Sequence, residues 1–252
     1  MATVLLLRHG RTTTNADGTL AGHLPVCLDE TGALQAKAVG ERLAGLPLAA
    51  VLTSPLLRCR QTLELALPEL TPTVDEALVE CGYGDWEGQP LARLAKDPLW
   101  STVQQHPSAV TFPGGESMAA MSARAVAAVR RTDAQVTAEH GPDALWLACS
   151  HGDVIKSVIA DALGLHLDLF QRIIVDPGSL TVIRYTPLRP FLVRLNDAGA
   201  LTSLVPPKRP RRRRTTRVDS DATPGGGPGG SGGGSRRGSG AGRGARGGPL
   251  GA

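Results

Sequence analysis

Two places in the chain end a short apolar run in a histidine followed by glycine. Val4-Leu5-Leu6-Leu7 runs into Arg8-His9-Gly10, and Leu145 to Cys149 runs into Ser150-His151-Gly152. A histidine at such a junction can be a metal ligand, a general base, a nucleophile or an ordinary strand-end residue. The neighbouring arginines narrow the choice. Arg8 adjoins His9, and Arg58 follows closely on Ser54-Pro55, which stops a third apolar run beginning at Ala49. Fixed guanidiniums repel a cation, and a zinc site would also want three or four His, Cys or carboxylate ligands, so metal binding is disfavoured. What two arginines attract is a phosphoryl group. Their forks match its oxygens bidentately, and a phosphomonoester carries about −1.5 to −2 near neutral pH. Ser150 beside His151 invites a serine-hydrolase reading, but the G-x-S-x-G elbow is absent. The nucleotide-type phosphate loops G-x-x-x-x-G-K-[ST] and G-x-G-x-x-G are absent too.

Positioning these residues requires rigid elements. The run from Val4 to Leu7 reads as a short strand buried on both faces. "LDETGALQAKAVGERLAGL" reads as a helix with Asp29 at its N-cap and a stripe through Leu34, Ala38 and Leu43. A strand from Ala49 to Pro55 and a helix over "LLRCRQTLELAL" follow. "GGESMAAMSARAVAAVRRTDAQVTAEHG" predicts a long helix that ends at Gly141-Pro142. Met118, Met121, Ala125, Val129 and Val136 form its core face, and Glu116 and Ser117 its first turn, where a carboxylate suits the helix dipole. A strand from Leu145 to Cys149 and a helix over "DVIKSVIADALGL" come next, and then "SLTVIRYT" and "FLVRLND" read as an antiparallel pair. This alternation predicts a three-layer α/β/α sandwich with a mostly parallel sheet and an antiparallel edge. In such sheets ligands sit beyond the carboxyl ends of the strands, so the three junctions fall on one rim.

Composition divides the 252 residues in two. From Pro206 onward almost no large apolar residue occurs, and such a segment cannot bury enough surface to offset its ordering entropy. The expected organisation is a catalytic domain over residues 1–205 and a disordered Arg/Gly/Pro-rich basic tail over 206–252. The tail holds eleven Lys/Arg against two Asp, leaving the first 205 residues with 16 basic and 21 acidic, a net of −5. A basic overall charge therefore belongs to the tail. Cys27, Cys59, Cys81 and Cys149 have neither zinc spacing nor a disulfide framework, and Cys149 reads as a buried thiol. With no secretion signal and no membrane-length apolar run, the expected setting is the reducing cytoplasm.

Five blocks in order carry a family resemblance: "LLLRHGRTTTN", "TSPLLRCRQT", "VECGYGDWEG", "PGGES" and "CSHGD". Together they resemble the histidine phosphatase superfamily, which includes the cofactor-dependent phosphoglycerate mutases, over residues 3 to 185. The resemblance implies that His9 is the nucleophile and carries the phosphoryl group. It implies that Arg8, Arg58 and His151 hold the transferring oxygens with help from Asn15, and that Glu80 is the proton donor. The chemistry is sound on its own terms. A neutral imidazole is available at pH 7, covalent transfer splits one hard displacement into two, and guanidiniums stabilise the spreading charge. Glu80 needs a raised pKa, which a partly apolar pocket near Tyr83 and Trp86 would supply.

Mutases of this family resemble each other in a longer insertion between the acid and the second histidine. Only 70 residues lie between Glu80 and His151, which favours a phosphatase without a cofactor. The alternative is a phosphomutase that uses 2,3-bisphosphoglycerate. The expected partner is a small phosphorylated metabolite, with no membrane and no metal. Nucleic acid is a further candidate partner through "KRPRRRR" and the Arg-Gly stretch, although the tail lacks aromatic residues to stack on bases. Trp100 and Phe112 read as lid or core, and His23, His106, His140 and His166 as surface or structural residues.

Overall fold

The apolar run at the N-terminus becomes β1 (Thr3–Arg8), with Val4, Leu5, Leu6 and Leu7 all buried. The computed structural model describes residues 1–199 and 224–226 of the chain. After β1 come the short α1 (Thr13–Asp17), α2 (Glu30–Leu43), β2 (Leu48–Thr53), α3 (Leu57–Ala66) and the two-residue β3 (Thr73–Val74). Residues 75–117 run through loops and short turns that include α4 (Leu91–Leu94) and α5 (Trp100–Gln105). The chain continues with α6 (Met118–His140), β4 (Leu145–Ser150), α7 (Gly152–Ala162), β5 (Leu180–Arg184) and β6 (Phe191–Asp197).

The strands form one sheet in the order β3-β2-β4-β1-β5-β6. The first four are mutually parallel, while β5 runs antiparallel to β1, and β6 to β5, as the hairpin pattern predicts. Because side chains alternate across a strand, β1 serves two cores. Val4 and Leu6 join Trp146 and Ala148 against Met121, Ala125 and Val129 of α6 and Ile155 of α7. Leu5 and Leu7 join Leu147 and Cys149 against Val39 and Leu43 of α2 and Cys59 and Leu63 of α3. Helices thus cover both faces, which gives the three-layer α/β/α sandwich.

Two local readings change. The buried stripe of α2 is Gly32, Ala36, Val39 and Leu43, whereas Leu34 is 67% exposed and Ala38 is also exposed. The stripe rotates because Gly32 packs against backbone: a Cβ on Gly10 would lie 2.5 Å from the Gly32 carbonyl oxygen. In α6, Ser117 is the N-cap, its Oγ accepting from the Ala120 N–H at 3.1 Å, so Glu116 precedes the helix instead of forming its first turn. Glu116 turns to Arg124, with Oε1 2.8 Å from Nε. Of residues 206–252, the structure describes Pro224–Gly226; the basic runs on which the nucleic-acid reading rests lie outside the described residues.

Trp100 and Phe112 belong to the core. Trp86 stacks on Trp100 at 6.1 Å between ring centroids, and Phe112 meets Trp86 at 5.3 Å and Tyr83 at 5.0 Å edge-on. This aromatic cluster is what folds residues 75–117 onto the sheet. Phe112→Ala should therefore lower stability by about 3–5 kcal/mol, the usual loss for a buried phenyl ring. Urea denaturation followed by tryptophan fluorescence measures it, and a loss below about 1 kcal/mol would show the cluster to be dispensable.

Candidate active site

Register between β1 and β4 sets the site. Leu7 lies opposite Cys149 and Arg8 opposite Ser150, so the two His-Gly junctions emerge side by side. The His9 N–H donates to the Ser150 carbonyl at 3.0 Å, and the Ser54 N–H donates to the Cys149 carbonyl at 2.9 Å, which ties the end of β2 to the same rim. The His9 and His151 ring centroids are 5.2 Å apart.

His9 is 3% exposed, with Nδ1 2.8 Å from the Gly10 carbonyl oxygen. A carbonyl only accepts, so Nδ1 carries the proton and Nε2 keeps its lone pair. Arg58 donates from Nε toward that Nε2 at 3.3 Å, and its Nη2 donates to the Gly22 carbonyl at 2.8 Å. Burial holds the His9 imidazole well below its usual pKa, and Arg58 and Arg8 push it further down. His151 is lowered in the same way by burial and then by Arg58, His9 and Arg8; its Nε2 lies 2.7 Å from Ser54 Oγ. Both rings are therefore neutral near pH 7. Arg8 is fully buried and donates from Nη1 to the Val175 carbonyl at 2.7 Å. Burial lowers its pKa, while Glu80, Asp153 and Asp176 oppose that.

Glu80 sits on the loop before the aromatic cluster and is 3% exposed. Its pKa is raised to about 7 by burial and by the Asp153 carboxylate, against the pull of Arg58, the Cys81 N–H and Arg8. A carboxyl at that value can give or take a proton at neutral pH. Arg124 of α6 clamps the loop: Nη1 donates to the carbonyls of Ala77 at 2.9 Å and Val79 at 2.7 Å, and Nη2 to that of Glu80 at 3.0 Å. His23 Nε2 also lies 2.7 Å from the Glu80 carbonyl oxygen, so this histidine belongs to the rim of the site.

Asn15 caps α1 reciprocally with Thr12: its Oδ1 accepts from the Thr12 N–H at 3.1 Å, leaving the amide nitrogen as the group it can offer to a ligand. Asn15 lines the same cavity, of about 70 Å³, as His9, Arg58, Glu80 and Tyr83. The structure thus brings His9, Arg8, Arg58, Glu80, His151 and Asn15 together. Ser150 is diverted, its hydroxyl donating to the Leu78 carbonyl at 2.7 Å, so it is no nucleophile. Sequence reasoning missed Arg124 and a buried polar chain under the site. There Tyr83 Oη donates to Asp153 Oδ2 at 2.8 Å, and Lys156 Nζ lies 3.6 Å from Asp153 Oδ1 and 3.1 Å from Gln171 Oε1. The only signal for it was polar Asp153 and Lys156 inside an otherwise apolar helix.

A neutral imidazole whose Nε2 keeps its lone pair and accepts only a long contact from Arg58, two buried guanidiniums and a carboxyl poised near neutrality define an enzyme site suited to phosphoryl transfer. Residues 4–198 match the histidine phosphatase superfamily (branch 1), and the chain belongs to that family. It is 28% identical to the 2,3-bisphosphoglycerate-dependent phosphoglycerate mutase 2 of Gloeobacter violaceus, over 70% of this chain and 82% of that protein. It is 30% identical to the adenosylcobalamin/alpha-ribazole phosphatase of Escherichia coli, over 71% of this chain and 87% of that protein. Among solved structures it is similar to a mycobacterial glucosyl-3-phosphoglycerate phosphatase in complex with VO3. That similarity has a TM-score of 0.68 and 27% identity, and covers 77% of this chain and 98% of the other.

The Arg124 clamp gives a test of the site's construction. Arg124→Ala should cost about 1.5–3 kcal/mol of stability from lost charge-assisted hydrogen bonds, and should lower turnover by releasing Glu80. Arg124→Lys should restore little, because an ammonium cannot fork to three carbonyls and a carboxylate at once. Denaturation and steady-state kinetics on the two variants check this, and full activity in Arg124→Ala would show that Glu80 is held by other contacts.

Proposed function

We propose that the protein hydrolyses a small phosphomonoester by two in-line displacements at His9, with a phosphohistidine between them. The observation that carries this is the Nδ1 bond to Gly10, which leaves the His9 Nε2 lone pair directed into a pocket flanked by guanidiniums. In the first step Nε2 attacks phosphorus and the ester P–O bond breaks, the leaving oxygen taking the Glu80 proton. In the second step the Glu80 carboxylate takes a proton from water, whose oxygen attacks phosphorus as the N–P bond breaks. Orthophosphate leaves and Glu80 is protonated again. Arg8, Arg58, His151 and the Asn15 amide are assigned to the phosphoryl oxygens, where fixed donors stabilise charge without reorganising.

No metal and no resident cofactor enter this scheme, because the guanidiniums supply the positive charge. The relatives named above as phosphatases support hydrolysis of a small phosphorylated metabolite. Similarity to a mutase keeps phosphoryl return to a sugar-acid hydroxyl, primed by 2,3-bisphosphoglycerate, as the second reading. No described helix is long and apolar enough to cross a membrane. The free thiols of Cys59, Cys81 and Cys149 support a reducing, cytoplasmic setting.

A panel of phosphomonoesters, including 3-phosphoglycerate with and without 2,3-bisphosphoglycerate, tests the reaction. His9→Ala should lower phosphate release by at least about 10³-fold, and quenched wild type should carry an acid-labile phosphoryl group on His9. Equal release by the two proteins would remove His9 as nucleophile, and isomerisation as fast as hydrolysis would make the protein a mutase.

Glu80 sets the pH dependence. Its acid form is the proton donor and its pKa is about 7, so kcat/KM for an alkyl phosphate should fall as pH rises through that value. His9 is held well below its usual pKa and stays neutral down to lower pH, which places the ascending limb there. Glu80→Gln should lower kcat/KM for an alkyl phosphate by about 10²–10⁴-fold and remove the alkaline limb. A limb that persists in Glu80→Gln would assign it to another group.

A further inference from the structure

Three glycine-rich tail residues lie inside the cavity that holds His9. Pro224, Gly225 and Gly226 line it together with Arg58, Glu80 and Tyr83. Arg8 Nη2 donates to the Gly225 carbonyl at 3.0 Å and to the Gly226 carbonyl at 3.2 Å, and the Gly225 N–H donates to Asp153 Oδ2 at 2.9 Å. Those two carbonyl oxygens share Arg8 Nη2, a donor that a phosphoryl oxygen would otherwise use.

The fit depends on missing side chains on both sides. Gly225 and Gly226 both have φ of 73°, a conformation that costs residues with a Cβ. A Cβ on Gly226 would lie 2.6 Å from Arg8 Nη1, and one on Gly152, at the start of α7, would lie 2.6 Å from the Gly225 carbonyl oxygen. The connection is long enough, since a chain spans up to about 3.3–3.6 Å per residue and more than twenty residues separate Gly199 from Pro224. Tethering keeps such a segment at a local concentration on the order of mM, so modest contacts suffice for occupancy.

We propose that Pro224-Gly225-Gly226 is an intramolecular competitor for the phosphoryl subsite: the tail must leave Arg8 before a phosphomonoester binds there. The occupant is neutral and contacts Arg8 through carbonyls, so a dianionic phosphoryl group displaces it, and the tail raises the substrate concentration needed for half-saturation without altering the chemical step. This rests on the phosphatase reading for the identity of the displacing ligand, but the tail's position is independently measurable.

The experiment compares full-length wild type with full-length Gly225→Val/Gly226→Val. Valine cannot adopt the required backbone cheaply and collides with Arg8, and neither position takes part in the chemistry. With p-nitrophenyl phosphate as substrate, the variant should show a KM lower by about 3- to 10-fold with kcat unchanged, the factor by which occupancy reduces the competent fraction. Hydrogen exchange followed by mass spectrometry should show the Gly225 amide protected in wild type and released by inorganic phosphate. Equal KM in the two proteins, exchange of Gly225 at the free-chain rate, or protection that phosphate does not disturb would each overturn the proposal. Protection released by phosphate but no turnover in either protein would uphold the tail's occupancy and sink the phosphatase reading instead.

Discussion

Parallel pairing of β1 with β4, with Arg8 opposite Ser150, is the constraint on which the site depends. It fixes two histidines on adjacent strand ends at the carboxyl rim of the sheet. A slip of one residue would turn every side chain of β1 to the opposite face and carry Val4 and Leu6 out of one core and Leu5 and Leu7 out of the other. The hydrophobic cores on the two faces therefore enforce the catalytic register. Positioning energy comes from leucine and valine side chains well away from the reacting atoms.

Gathering Arg8, Arg58, His9 and His151 in one desolvated place would be unfavourable if all four were charged. The structure resolves this by letting the imidazoles stay neutral and giving each guanidinium backbone carbonyls, Val175 for Arg8 and Gly22 and Leu24 for Arg58. The same crowding prepares the acid. Asp153, held by Tyr83 and Lys156, places negative charge near Glu80 and helps keep it protonated. On the proposed mechanism, a phosphoryl dianion arriving on Arg8 and Arg58 would add further negative charge beside Glu80 and strengthen its hold on the proton until the leaving oxygen took it.

The parts of this that were legible from sequence are those with short-range signals. Apolar runs ending in His-Gly gave β1 and β4, helical spacing gave α6 from Met118 on, and the two successive β-rich runs "SLTVIRYT" and "FLVRLND" gave the antiparallel edge. Legibility failed where backbone meets backbone or where a partner is distant in sequence. Leu34 looked like core because periodicity counts apolar side chains, yet Gly32 and Gly10 needed contact and turned α2 another way. Glu116 looked like a helix-dipole residue because nothing local announces that Arg124, two turns on, reaches back to it and to the Glu80 loop. His23 read as surface or structural, and it is an exposed residue whose particular partner, a carbonyl 57 residues away, no local signal announced.

The tail carries the same lesson to the site's specificity. Composition marks a Gly-rich stretch as unable to build a core, which says nothing about a pocket whose walls want bare backbone. A subsite made for phosphoryl oxygens is a subsite for any pair of acceptors at the right spacing, and a Gly-Gly turn presents two carbonyls with nothing to obstruct their approach. Charge then sets the ranking. Hydrogen bonds from a guanidinium to an anion are roughly twice as strong as neutral ones, while tethering supplies a concentration on the order of mM at no cost in encounter. On the proposed competition, good ligands would prevail over the tail and poor or dilute ones would not, so the glycines would act as a threshold set by the buried Arg8.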